Sequence, residues 1–436
     1  MRKSLVYSLL AIIAQAVSSQ TLDPNKFDFD SLEINNGYVQ GSYDNGQAAF
    51  IGHVVDGKAS GKWQEYYPDG TIKSLSEYKD GKKNGQETLY DSYGIKLSSS
   101  TFKDDILEGP YAEFYENGTI ALMGLYKNGL KDSTWIEYNV LGQQIANKPY
   151  KNDKENGIWT TIYDNGKVRS TEHYAFGVKT GQWTYYFANG SIYKQMNFRN
   201  GLLHGKYEEY HSNGKKSVSG SYSYDLKDGD WLSFYEDGTL YSIGTYRNDQ
   251  KNGHWKYFMK SGAISEEGPY RSDMKHGQWI YYYENSKPER IGSFLLDEKD
   301  GMWGIFYPND QLCQEQKWDN GRLMEVSSYY SIKGNELTSG TLKNGTGTYF
   351  EYYPEGDLRL EANLKDGYFE GWYKGYYING QVEYAGQMEK SKKTGRWTYY
   401  HYNGQVASQG YFYEDAKTGT WAEYNIRGRL IEKIDY

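Results

Sequence analysis

The sequence is poor in residues that would staple or kink a chain, with one cysteine, Cys313, and eight prolines in 436 residues. A single thiol allows no internal disulfide, so packing and hydrogen bonding must hold the fold. Cys313 itself reads as a spare side chain and not as a reactive thiol. Long apolar runs are scarce as well. The one of note, residues 5–14, follows Arg2 and Lys3 and precedes the small residues Ala16-Val-Ser18-Ser19, the layout of a cleaved secretory signal over residues 1–20. It is shorter than the roughly 20 apolar residues that span a bilayer. This reading implies a secreted or periplasmic protein. Basic charge is in deficit too, with 49 Lys and Arg against 57 Asp and Glu, a net charge of -8. Nucleic acid and anionic lipid both select basic surfaces, so neither is the expected partner.

What is abundant is Tyr (48), Gly (50) and Trp (12), a balance that favours strands and tight turns over helices. These residues recur in order. Gly181-Gln-Trp183-Thr-Tyr-Tyr186-Phe187-Ala-Asn-Gly190 is a clean copy of a 24-residue repeat, numbered here from 0 at its first Gly. Position 0 falls at 24-residue intervals from Gly37 to Glu325, with Ser133 in place of one Gly. Two residues then drop out, and the frame resumes at Gly347, Gly371, Gly395 and Gly419. Seventeen copies fill residues 37–436, and a fixed period of this length marks a repeat architecture without separate cores. Residues 21–36 fit neither the repeat nor a helix pattern and read as a linker whose Phe27, Phe29 and Leu32 cap the first copy. Repeats 1–12 occupy 37–324 and repeats 14–17 occupy 347–436. The degenerate copy at 325–346 is a hinge at which the array is expected to bend or loosen.

Within a repeat, position 2 is Trp in ten copies, positions 5 and 6 are mostly aromatic, and positions 8 and 9 are commonly Asn-Gly or Asp-Gly. Position 11 is usually aliphatic and position 17 aromatic, and a second turn signal follows at 19 and 20, as in Asp80-Gly81. Each copy thus reads as strand, turn, strand, turn. The fold class is all-β, an elongated solenoid-like meander of about 17 stacked antiparallel hairpins. A two-residue turn at 8–9 makes facing positions sum to 17. Position 2 then faces position 15, often Gly (Gly220, Gly244, Gly268, Gly292), position 0 faces 17, and position 6 faces 11. A ring opposite a bare glycine covers the backbone that glycine exposes. One such hairpin buries too little to order itself, so the copies must prop one another up.

The pattern Gly-x-Trp-x-x-Tyr-Tyr-x-Asn-Gly, followed by an aliphatic, an aromatic and a second Gly turn, resembles the MORN repeat variant family across residues 37–436. The resemblance implies stacked β-hairpins and a role as a protein or lipid scaffold. It also brings in bacterial antitoxin components of toxin-antitoxin systems, which carry such repeats.

A catalytic site is singular, whereas a residue recurring in most copies answers a structural demand made in each. The recurrent Glu at position 4 (Glu65, Glu113, Glu137, Glu209) reads as a solvated strand position. The seven His lack metal-ligand spacing, and neither a phosphate loop nor a nucleophile elbow is present. The sequence therefore implies no enzyme, no cofactor and no metal. It points to an exported scaffold that binds another protein through its aromatic-rich sheet. The candidate contacts are Trp159, Trp183, Tyr186, Trp231, Trp255, Trp279, Tyr282, Trp397 and Tyr400, because Tyr and Trp present large rigid area with a polar tip. The alternatives are an antitoxin or immunity component, and a repeat protein that binds a cell-wall polysaccharide or other glycan.

Overall fold

The computed structural model describes residues 35–436, so the expected signal at 1–20 and nearly all of the expected linker at 21–36 lie outside the described residues. Those residues contain strands and turns and no α-helix. They fall into two compact units, divided after His204.

In the N-terminal unit each strand pairs antiparallel with the next, from Gly37–Ser42 and Ala48–Val55 onward to Gly181–Tyr186 and Ile192–Arg199. In the C-terminal unit the same meander runs from Lys216–Ser223 to Arg322–Val326. It resumes as an eight-stranded sheet from Gly347–Tyr352 to Leu430–Asp435. This is the all-β meander of antiparallel hairpins that the repeat predicts.

The register holds with one correction. Gly181 faces Phe198, Trp183 faces Met196 and Tyr185 faces Lys194, positions that sum to 17, but Tyr186 then faces Ile192. Position 5 therefore opposes position 11, and position 6 does not. The cause is the turn. Phe187 N donates to Ser191 O and Gly190 N to Phe187 O, both at 2.8 Å, which makes a three-residue loop closed by a glycine bulge. Gly190 alone takes positive φ, at 89°. The two-residue turns lie instead at positions 19–20, where Asp80 (φ 53°) and Gly81 (φ 83°) are both left-handed, as a type I′ turn demands.

Between repeats the ladder is bulged. Ile291 pairs with Gly304 and Ser293 with Asp300, so Gly292 alone faces Gly301, Met302 and Trp303. Position 0 absorbs the extra length with φ of 77° at Gly301 and 75° at Gly253. Ser133 does the same at φ 61° without being glycine.

The degenerate copy interrupts the ladder but is not loosely packed. Leu323, Leu342, Tyr349, Leu360 and Leu364 form a buried cluster, and Tyr307, Cys313 and Tyr329 form another. Backbone bonds join Leu323 N to Gly367 O (3.1 Å) and Gly345 N to Met324 O (2.7 Å). A periodic tie dates the missing residues. The Tyr307 hydroxyl donates to Tyr330 O, and the next donor in the series is Tyr329, to Tyr352 O. Donors otherwise recur at multiples of 24 residues, so the frame has slipped by Tyr329, near the start of the 325–346 copy.

Candidate interaction surface

Positions 0, 2, 4, 13, 15 and 17 share one face of the sheet, because 0 pairs with 17, 2 with 15 and 4 with 13. This face is built from indoles. The ring of position 2 turns away from the glycine opposite it and lies on the glycine of the preceding repeat, as Trp231 on Gly220, Trp255 on Gly244, Trp279 on Gly268 and Trp303 on Gly292. A Cβ on any of those glycines would overlap the indole. The expected pairing of ring and glycine is thus correct in backbone register and wrong in which ring covers which glycine. The bulge at position 0 throws the side chain backwards along the array.

The indole is then fixed on its remaining sides. Its Nε1 donates to the carbonyl ten residues back, at 3.0–3.2 Å, in nine copies from Trp63 to Trp421. The aromatic at position 17 of the preceding repeat meets it edge-on, as Phe294 meets Trp303 at 5.0 Å and 86°. Over its outer face sits the ammonium of the lysine four residues earlier. Lys131, Lys179, Lys227, Lys251, Lys275, Lys299, Lys393 and Lys417 lie 3.9–4.9 Å from the centroids of their Trp partners. Sequence reasoning missed this cation. Its signal was the recurrence of Lys at position 22, where a lysine passes for a solvated charge although its stem and head can cover a ring.

Both edges carry ladders with the period of the repeat. On one, the Tyr hydroxyl at position 6 donates to the carbonyl 23 residues on, as Tyr163 to Tyr186 O and Tyr377 to Tyr400 O, both at 2.7 Å. The turn Asn does likewise, Asn165 Nδ2 reaching Ala188 O at 2.7 Å. This explains Asn at position 8, whose own φ is not left-handed. On the other edge, Asp at position 20 accepts from the backbone N 22 residues earlier, as Asp273 from Lys251 and Asp297 from Lys275.

Among the nine candidate contacts, Trp183, Trp231, Trp255, Trp279 and Trp397 are buried, with exposures of 0–5%, and are occupied in packing repeat on repeat. Trp159 is half-buried, and Lys148 lies over its ring. Tyr186, Tyr282 and Tyr400 stand half-exposed at position 5, on the face opposite the indoles. There the Tyr282 hydroxyl donates to Glu267 at 2.7 Å, and burial with that carboxylate beside it pushes the phenol up to about 12. Burial alone would raise Glu267, but hydrogen bonds from Tyr282, Lys256 and His254 overcome it and hold the carboxyl at about 2. Glu65 departs from the solvated reading of position 4. It shares the indole face, is 7% exposed, and burial raises its carboxyl despite Lys73 and Lys83 nearby. Cys313 is buried, which pushes its thiol up. Among the described residues no three His, Cys, Asp or Glu side chains converge as a metal site.

Nine stretches match the MORN repeat variant: 59–80, 107–128, 155–175, 179–200, 203–224, 227–248, 275–295, 346–366 and 393–415. These nine stretches, a little under half of the chain, are similar to MORN-variant repeats. All but one of the matched stretches open at position 22, so the matched unit takes in the place of the ring-capping lysine. None of the curated proteins matches the chain. Among solved structures it is similar to the TcdB2-TccC3-Cdc42 complex (10% identity, 92% of this chain and 23% of that one, TM-score 0.14). It is similar also to the Photorhabdus luminescens Tc holotoxin pore (10% identity, 89% and 26%, TM-score 0.14). A third is the TCP10 domain of Danio rerio CPAP in complex with a STIL peptide (14% identity, 59% and 100%, TM-score 0.16). The chain spans about a quarter of the length of the first two of these chains, and likenesses at these TM-scores carry no argument.

Proposed function

We propose that this protein is a non-enzymatic, exported repeat scaffold that binds another protein through the sheet face opposite its indoles. The supporting observation is the division of labour between the faces. The position-2 tryptophans are consumed in holding repeat to repeat, while half-exposed tyrosines recur at position 5 on the opposite face of each unit, Tyr186 in the N-terminal one and Tyr282 and Tyr400 in the C-terminal one. Rigid side chains with polar tips give area and hydrogen bonding at low entropic cost, as protein recognition requires. The titratable groups with displaced values described above, Glu65, Glu267, Tyr282 and Cys313, do not gather in one place: Glu267 and Tyr282 tie to each other, while Glu65 and Cys313 lie in separate repeats.

Affinity capture with the purified chain from the exported fraction of its source is the test. The reading expects a saturable protein partner whose capture falls at least tenfold in a Tyr186→Ala, Tyr282→Ala, Tyr400→Ala variant that keeps its far-UV spectrum. Capture of no protein, or equal capture by the variant, would overturn it.

A further inference from the structure

In the N-terminal unit, positions 1, 3, 14 and 16 form a strip on the face opposite the indoles, since Pro110 pairs with Leu125, Ala112 with Met123, and Met123 with Ile136 of the next hairpin. Between Gln86 and Asn197 these four positions recur through five repeats, and not one of the twenty places holds Asp, Glu, Lys or Arg. The same positions in the C-terminal unit carry Lys206, Asp230, Lys256, Glu267 and Lys374. In a chain with a net charge of -8 and roughly one residue in four charged, a run of this length without charge is a property of the surface and not of the composition.

Apolar side chains gather in the middle of the strip. Met123 is 37% exposed, Leu125 41% and Ile158 51%. Met123 and Leu125 line a shallow depression of about 430 Å³ with Pro110, Thr134 and Ile136. Towards both ends the strip turns to neutral polar groups, Gln86 and Ser99 at one and Gln182 and Asn197 at the other. An apolar centre with a polar margin, depleted of charge, is the anatomy of a protein interface. Ten strands at about 4.8 Å and about five residues of strand length give on the order of 700 Å², close to the roughly 800 Å² per partner of a standard interface.

We propose that this charge-free strip packs against the same strip of a second copy of the chain. A two-fold contact sets each residue against its own image or a near neighbour's, so a patch of one sign would repel itself. The strip has no charge to repel. The contact requires no other protein and lies on the same face as the partner surface proposed above, where Tyr186 borders the strip's last repeat; association of the purified chain alone separates the two.

Sedimentation equilibrium of the full chain tests it. The expected mass is twice that of one chain at concentrations up to about 100 µM, where even a modest contact would be filled, and the association does not weaken as salt rises. Leu125→Lys should return the single-chain mass with an unchanged far-UV spectrum. Thr134→Lys, which removes no apolar group, should do the same, while Trp372→Lys, at an exposed site on the C-terminal unit, should leave the pair intact. A single-chain mass for the unaltered protein at the highest concentration, or a pair that survives both lysines of the strip, overturns the proposal.

Discussion

Two glycines nine residues apart do different work. A Cβ on Gly292 would overlap the Trp303 ring, whereas one on Gly301 meets open space but sits at φ 77°. Gly301→Ala should therefore cost about 1 kcal/mol, the strain of a left-handed residue. Gly292→Ala should cost more, about 1–3 kcal/mol, and should also red-shift tryptophan emission as the indole is unseated. Chemical denaturation followed by fluorescence reads both. Ser133, already at φ 61° where its counterparts are glycine, predicts the reverse sign: Ser133→Gly should raise stability by about 1 kcal/mol. Glu65 supplies a pH test. Its carboxyl is raised in the fold by burial, so the unfolded chain ionises first. The fold loses stability as pH rises from the unfolded value through the folded one. Glu65→Gln should thus stabilise the protein at neutral pH and leave it unchanged in acid, as thermal melts at the two pH values will show. The pairing of ring with glycine was legible because only one of the two partners varies between Trp and Tyr while the other stays small. The direction of the ring was not, because a repeat period cannot say whether a side chain leans on its own hairpin or on the one before.

At the scale of the hairpin, turn chemistry was read one step too simply. Asn-Gly is the signature of a two-residue turn, yet here Asn serves position 8 through a side chain that reaches the next repeat, and only the Gly needs a left-handed backbone. Asp-Gly at 19–20 is the true type I′ turn. Sequence could find both turns but could not see a tie 23 residues away that makes one of them Asn for another reason. On the strand face, Tyr282, Lys256 and His254 hold Glu267 at about 2. That stability is present above the unfolded carboxyl value and is lost as pH falls from there towards about 2. Tyr282→Phe should shift the Glu267 titration upward, as carboxyl NMR can follow. In the interrupted copy, Leu342 is 7% exposed within a cluster of five other buried side chains. Leu342→Ala should cost about 2–4 kcal/mol, a loss that a loose hinge would not show.

Across the whole molecule the ties run one way. Eight of the ten position-2 indoles lie on the glycine of the repeat before them, nine donate Nε1 to a carbonyl ten residues back, and the ring met edge-on, as Phe294 by Trp303, belongs to that same earlier repeat. A peptide covering one repeat therefore holds a Trp without a seat or a seat without a Trp and should be unfolded by circular dichroism, as its small buried area also requires. On a ribosome the order matters. The chain emerges from its amino end at about 5–20 residues per second, so every glycine platform is laid down before the ring that will occupy it is made. No hairpin has to wait for a later one to receive its tryptophan, and growth of the sheet can keep pace with translation.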